Sequence, residues 1–417
     1  MKPLLWLAAI GCLGAGLTAG QTQPEWQIIV GGQLDGMLAP CGCVKPMSGG
    51  IVRRAAATRG LTTKNSLILE LGPLSGGQSR QDEIKAETAA QFLKELNVDA
   101  VSLSAKDAAL GLGMNAAINR LSGGKLISGS LATGENSGIQ PRKAKGPFLV
   151  GSWDPNAARL AAALGETPNS ETAALQDLIS EAKSGELQPI LMLQAGREAA
   201  QKIAQSNPDL ALIVYETPGN PRREIEYVGK TALVSPGEKG KHVLALKWTK
   251  NGPADFKVLD LGPEIHDDPK TKGFFKQYLS RVNDEKLIEK VVRKNTPAFS
   301  GSKLCITCHG KAGEVWKKSL HSHALKTLET EGHDRDPECV PCHVVGLDST
   351  KGFVSRAKTP LLADVGCESC HGTGAAHAKA PKKMKMKKVE KSACLTCHTP
   401  QNSPTFNFEA YWKRIAH

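Results

Sequence analysis

Four stretches of this sequence place two cysteines three positions apart with a histidine directly after the second: Cys305-Ile306-Thr307-Cys308-His309, Cys339-Val340-Pro341-Cys342-His343, Cys367-Glu368-Ser369-Cys370-His371 and Cys394-Leu395-Thr396-Cys397-His398. Thiols at that spacing reach both vinyl edges of one porphyrin and form thioethers, and the adjacent imidazole then lies under the iron as an axial ligand. With 11 Cys and 11 His in 417 residues, chance supplies about 0.008 such motifs, so four of them mark a chemical device. Zinc sites and disulfides also use paired cysteines, but neither requires the histidine that follows every pair here. The sequence therefore predicts four covalently bound haem c groups. Their attachment points are Cys305, Cys308, Cys339, Cys342, Cys367, Cys370, Cys394 and Cys397, with His309, His343, His371 and His398 as proximal iron ligands. Three cysteines remain: Cys12, Cys41 and Cys43.

The second axial position decides between a carrier and a catalyst. Iron held by two protein ligands shuttles electrons, whereas an open position binds substrate. Outside the motifs, this region offers His321, His323, His333, His377 and His417, while its methionines, Met384 and Met386, lie among lysines. His/His ligation is the expectation, with His321, His323, His377 and His417 as distal candidates.

Residues 300–417 are dense in Cys, His, Gly and Lys and poor in Leu, Ile, Val and Phe. Such a segment cannot bury enough apolar surface unaided, and macrocycles would supply its core. A mainly α, loop-rich tetrahaem domain is expected over residues 297–417. Ahead of it, residues 26–263 alternate buried-strand runs, such as Ser66–Leu71 and the stretches 99–103, 189–193 and 210–215, with helix-period segments at 84–96 and 198–205. That pattern predicts an α/β domain with a largely buried sheet. The close runs at 225–227, 231–234 and 243–248 read as consecutive strands able to pair antiparallel. Residues 264–296, with apolar pairs at near-helical spacing, read as a connecting helix.

Lys2, the apolar run 3–17 and the small residues Ala19 and Gly20 read as a signal peptide over residues 1–20, too short for a bilayer span of about 20 residues. Export to the periplasm or the outer face of a bacterium follows, with Cys12 only faintly resembling a lipid-anchor site. The formal charge of +12 suits acidic partners, but four haems add roughly eight propionates, and no aromatic platform accompanies the charge, so nucleic acid is not expected. Seven lysines between Lys379 and Lys391 either neutralise propionates or form a docking patch for an acidic redox partner protein. A homo-oligomer remains open through His417, which could ligate a haem in a neighbouring chain.

The residues around the motifs, including Ser300 to Cys305, Trp316 to Ser319 before His321, Gly372 leading to His377, and the stretch Tyr411 to His417, resemble tetrahaem cytochromes related to cytochrome c-554, the electron acceptor of hydroxylamine oxidoreductase. The resemblance implies closely stacked haems, mostly His/His ligated, leaves room for one five-coordinate iron, and places His321, His377 and His417 at positions matching the family's distal motifs. Residues 26–262 resemble the calcineurin-like metallophosphatase domain of 5′-nucleotidases with its metal motifs worn away. Where that family has Asp-x-His, Gly-Asp, Gly-Asn-His, His and Gly-His-x-His, this chain has Gln33-Leu34-Asp35-Gly36, Gly72-Pro73, Ser104-Ala105-Lys106, Leu193-Gln194 and Tyr215-Glu216-Thr217-Pro218. That resemblance implies a phosphoesterase without activity, serving as a docking or scaffold module. Pro40-Cys41-Gly42-Cys43 is open to three readings: a structural disulfide, a redox pair, or soft metal ligands. The expected function is electron transfer in a respiratory chain, with a redox enzyme for a small nitrogen or sulfur compound as the rival.

Overall fold

A computed structural model describes residues 25–40, 47–400 and 402–417. The expected signal peptide, Cys12 and the Cys41/Cys43 pair lie outside the described residues.

The strands in chain order are β1 (Trp26–Gly32), β2 (Ser66–Leu71), β3 (Ala100–Ser102), β4 (Leu126–Ile127), β5 (Arg142–Lys145), β6 (Phe148–Trp153), β7 (Gln188–Leu193), β8 (Leu212–Tyr215), β9 (Glu226–Val228), β10 (Thr231–Val234), β11 (His242–Thr249) and β12 (Gly252–Asp260). They form two six-stranded sheets, ordered β12-β11-β1-β2-β3-β4 and β5-β6-β7-β8-β10-β9. Strands β1 to β4 and the run β6-β7-β8-β10 pair parallel, and the remaining pairs are antiparallel: β12 against β11, β11 against β1, β5 against β6 and β9 against β10.

Side-chain alternation explains the continuous apolar runs. Ile28 and Val30 of β1, Leu67 and Leu69 of β2, and Val150, Ile190 and Val214 of the second sheet meet in one core between the sheets. Their neighbours Ile29 and Ile68 face a helical layer outside the first sheet, and Leu149, Leu191 and Ile213 face another outside the second. Both faces of each sheet are therefore covered, and every strand position can be apolar. One expectation is corrected here. Strands β9 and β10 do pair antiparallel, but β11 crosses to the other sheet, because its alternating Leu244, Leu246 and Trp248 fill the inter-sheet core beside β1.

The helix expected from residue 84 begins earlier, at Arg80, and runs to Glu95, because Ser79 and Asp82 exchange capping hydrogen bonds that apolar spacing cannot reveal. Asp268 caps the helix Pro269–Asp284, accepting from the amides of Lys270 and Thr271. This helix does not bridge solvent: its Tyr278 and Val282 belong to the same core as Ile84 and Phe92 of the helix Arg80–Glu95. The segment continues as a 3-10 turn, Leu287–Lys290.

Beyond residue 300 the elements are short helices and turns. A small core of Leu325, Val340, Val344, Val345, Leu347, Phe353 and Leu362 surrounds the second motif. Elsewhere large apolar side chains stay exposed, Leu320 at 89%, Leu304 at 50% and Leu395 at 44%, which is the surface a bound macrocycle would cover.

Candidate functional site

Each motif begins on or beside a helical turn: Ser302–Cys308, the 3-10 turn Val340–Cys342, Cys367–His371 and Lys391–Leu395. Residues three apart share one helix face, so both thiols of a pair present together. Gly301 opens the first turn at φ +81, where a side chain would collide with Leu361. The buried Glu368 carboxylate, inside the third motif, accepts from the amides of Ser300 (2.9 Å), Gly301 (2.7 Å) and Gly374 (2.6 Å). The Cys367 amide donates to Ser302 Oγ at 3.1 Å. These bonds lock the first and third motifs together.

Three proximal imidazoles face a second imidazole. Ring centres lie 6.1 Å apart for His309 and His377, 6.2 Å for His321 and His398, and 6.0 Å for His371 and His417. An iron between two imidazoles, each nitrogen about 2 Å from it, sets ring centres roughly 6 Å apart, so the spacing fits the group. The Nδ1 atoms are engaged: His371 with Lys387 O (3.0 Å), His377 with Met384 O (2.6 Å), His417 with Ile415 O (2.9 Å) and His343 with Ala324 O (2.6 Å). A carbonyl only accepts, so Nδ1 carries the proton in each and Nε2 keeps a lone pair for a metal. Burial pushes the His321 and His398 pKa values down, that of His321 also because it faces His398.

The second motif differs. Among the described residues no imidazole faces His343. His323 is exposed, its Nδ1 2.6 Å from Ser322 Oγ, and it opposes no proximal histidine. His333 lies 3.8 Å from both Cys339 Sγ and Asp336 and packs on Phe275 with ring centres 5.5 Å apart.

The sequence presents the lysine loop as charge alone and gives no sign that its backbone carbonyls at Met384 and Lys387 orient two imidazoles. Nor does it single out Phe406, stacked on His398 at 4.7 Å, or Trp316, whose indole N–H donates to Val365 O at 2.8 Å. No spacing rule signals a carbonyl acceptor.

The arrangement of the motifs in space does not follow their order along the chain. The Cys305 and Cys367 thiols are within hydrogen-bonding reach, as are those of Cys397 and Cys342, and the helix Cys367–His371 packs against Lys391–Leu395. Space orders the motifs first, third, fourth, second.

In the α/β domain, the carboxyl ends of the strands open on a cavity of about 440 Å³ lined by Gln33, Asp35, Lys106, Asp154, Gln194 and Glu216 among others. The positions that replace the metallophosphatase motifs thus do converge. Lys106 Nζ donates to Asp35 Oδ1 at 2.6 Å. With its amide nitrogen turned toward Glu216, Gln194 donates to that carboxyl at 2.5 Å; the opposite orientation would set two acceptors against each other. Burial, followed by the charges of Asp154, Asp35 and Asp107, pushes Glu216 up to about 7. A two-metal centre does not fit these residues: an ammonium and amides stand in the cavity, and among the described residues no three of its carboxylates approach closely enough to share one ion.

Residues 304–372 match the family described as cytochrome c554 and c-prime. The match spans the first three motifs, and the fourth lies beyond it. Cytochrome c-554 of Nitrosomonas europaea is 33% identical over 91 residues, covering 18% of this chain and 39% of that protein. The C-terminal region carries a c-type cytochrome domain, and such a domain binds haem c covalently. Among solved structures, the fold resembles a 5′-nucleotidase precursor of Thermus thermophilus (TM-score 0.54, 16% identity, 74% of this chain and 68% of that one). It also resembles a sulfate thiohydrolase of the same species (TM-score 0.50, 15% identity, 62% and 61%) and the NAD nucleotidase of Haemophilus influenzae (TM-score 0.50, 16% identity, 67% and 63%). At these identities the likeness is one of fold. No helix among the described residues is long and apolar enough to cross a membrane.

Proposed function

We propose that this protein is an exported tetrahaem electron carrier whose α/β domain is a phosphoesterase fold without phosphoesterase activity. The observation that carries this reading is the set of three imidazole pairs with ring centres 6.0 to 6.2 Å apart. Haem iron supplies one-electron chemistry when bound, and the chain's own residues do the rest: eight thiols fix the macrocycles, and His309/His377, His371/His417 and His398/His321 cap three irons on both sides. Electrons would pass along the spatial order of first, third, fourth and second motif. The lysines between Lys379 and Lys391 suit an acidic redox partner, since clustered charge steers encounter. The ammonium and amides around Glu216, standing where metal ligands would be needed, support the inactive phosphoesterase, and the division at about residues 263 and 297 serves as the working domain boundary.

Intact mass and electron paramagnetic resonance of protein matured with haem test the carrier. Four haem masses, with low-spin signals from the three paired irons, are expected; fewer haems, or turnover of a nucleotide analogue with added manganese, would overturn it.

A second reading has its own observation. His343 faces no imidazole among the described residues, so the iron of the second motif would be five-coordinate and open to a small nitrogen or sulfur compound. Spectral change on adding nitrite, hydroxylamine or cyanide separates this redox-enzyme reading from a pure carrier.

A further inference from the structure

The chain leading into the second motif is bound along its length to the α/β domain and to the helix Pro269–Asp284 that packs on it. Leu279 packs over Gly332, and Phe275 over His333. Arg335 donates to Asn283 Oδ1 at 2.6 Å, and Lys85 pairs with Glu338. At the centre is Asp336, only 4% exposed, whose carboxylate accepts from Gln81 Nε2 (2.7 Å), from the Tyr278 hydroxyl (3.2 Å) and from the Glu338 amide (2.9 Å). Its backbone carbonyl in turn accepts from the amides of Cys339 and Val340, both at 3.0 Å. Gln81 and Tyr278 are themselves buried and bonded to each other at 2.7 Å. One carboxylate therefore joins the helix Arg80–Glu95, the helix Pro269–Asp284 and the turn that carries Cys339. Burial works against its charge, but hydrogen bonds from His333, the Glu338 amide and Gln81, with the Lys85 ammonium nearby, outweigh it and hold the carboxyl below its ordinary range.

We propose that the α/β domain tunes the second haem through Asp336, a positioning residue whose fixed negative charge lowers that haem's reduction potential. The inference rests on the reading that Cys339, Cys342 and His343 hold a haem. Oxidised iron carries one more positive charge than reduced iron, so a buried carboxylate favours the oxidised form, and a low surrounding dielectric strengthens the effect. Gln81 and Tyr278 partly compensate the charge by donating to it. The α/β domain thereby acts on redox chemistry without supplying a ligand to any iron.

The charge role and a purely mechanical one differ in sign. Removing the charge must raise the potential, whereas removing a donor leaves the charge less compensated and must lower it. Loosened packing would move both variants the same way. Full-chain holoprotein carrying Asp336→Asn, Tyr278→Phe or Gln81→Leu is titrated spectroelectrochemically, with haem content checked by intact mass. Expected is a rise of one potential in Asp336→Asn, a fall of the same potential in Tyr278→Phe and Gln81→Leu, and no movement of the other three. If Asp336→Asn fails to fold, the downward shift in the other two carries the test. Unchanged potentials, shifts of one sign in every variant, or movement of all four together would overturn the proposal while four haem masses leave the tetrahaem reading standing. A mass accounting for three haems in the unaltered protein would overturn that reading instead, and this inference with it.

Discussion

His417 faces His371 with ring centres 6.0 Å apart, and each imidazole is oriented by donating its Nδ1–H to a backbone carbonyl. On the proposed ligation, a single residue would decide whether the third motif's iron is capped. His417→Ala should convert one low-spin haem to high spin while all four haems stay attached, because thioethers and not the distal ligand hold the macrocycle. Electron paramagnetic resonance reads the change. His377→Ala should do the same at the first motif, and a spectrum unchanged from that of the unaltered protein in either variant would mean that the pair does not span an iron.

Exogenous ligand should find one iron. If the three imidazole pairs cap three irons, with His343 facing none among the described residues, cyanide should bind about one equivalent per chain in an optical titration. A His323→Ala variant tests the remaining imidazole, which lies exposed beside Ser322. Unchanged stoichiometry is expected, and a second equivalent would show that His323 caps an iron.

How much of this could be read from residues alone differs between the two halves. The attachment motifs are spelled in the sequence because thioether chemistry fixes their spacing. The pairing of His321 with His398 is not, since it joins the turn Leu320–His323 to a motif far along the chain through packing that no local rule encodes. Strand β2 was legible to the residue, being apolar on both faces. The route of β11 into the opposite sheet was not, because its apolar alternation would suit either sheet equally. Lys106 is legible in the sequence only as a departure from a metal motif, and its pairing with Asp35 is visible only in the fold.

The α/β domain contains a buried ion pair, Arg54 with Glu70, both nearly inaccessible, and the guanidinium occupies the space that a side chain at Gly31 would need. Arg54→Met should destabilise the domain by about 3–5 kcal/mol, because a carboxylate is left buried without compensation. The double change Arg54→Met with Glu70→Leu should recover most of the loss, since two apolar groups of similar volume remove both desolvation costs. Urea unfolding of the two variants checks this, and equal destabilisation in both would show that packing, not charge, is at stake.

Glu216 gives the domain a pH dependence. Its carboxyl is pushed up to about 7 in the folded chain from an ordinary value of 4.5, by burial first and by Asp154, Asp35 and Asp107 after it. A raised carboxyl binds its proton more tightly folded than unfolded, so its contribution to stability is full below about pH 4.5 and is lost as pH rises through 7. At about 1.4 kcal/mol per pH unit, reduced for a side chain that partly meets solvent in the cavity, the loss is about 1–2 kcal/mol. Glu216→Gln stays neutral throughout and keeps an acceptor for the Gln194 amide. It should match the unaltered protein near pH 4.5 and exceed it by that margin at pH 8. Hydrogen exchange in β8, whose last residue precedes Glu216, reads the difference locally and apart from the haem region. A variant no more protected than the unaltered protein at pH 8 would mean that Glu216 is already ionised at neutral pH, its charge compensated by Lys106 across the cavity.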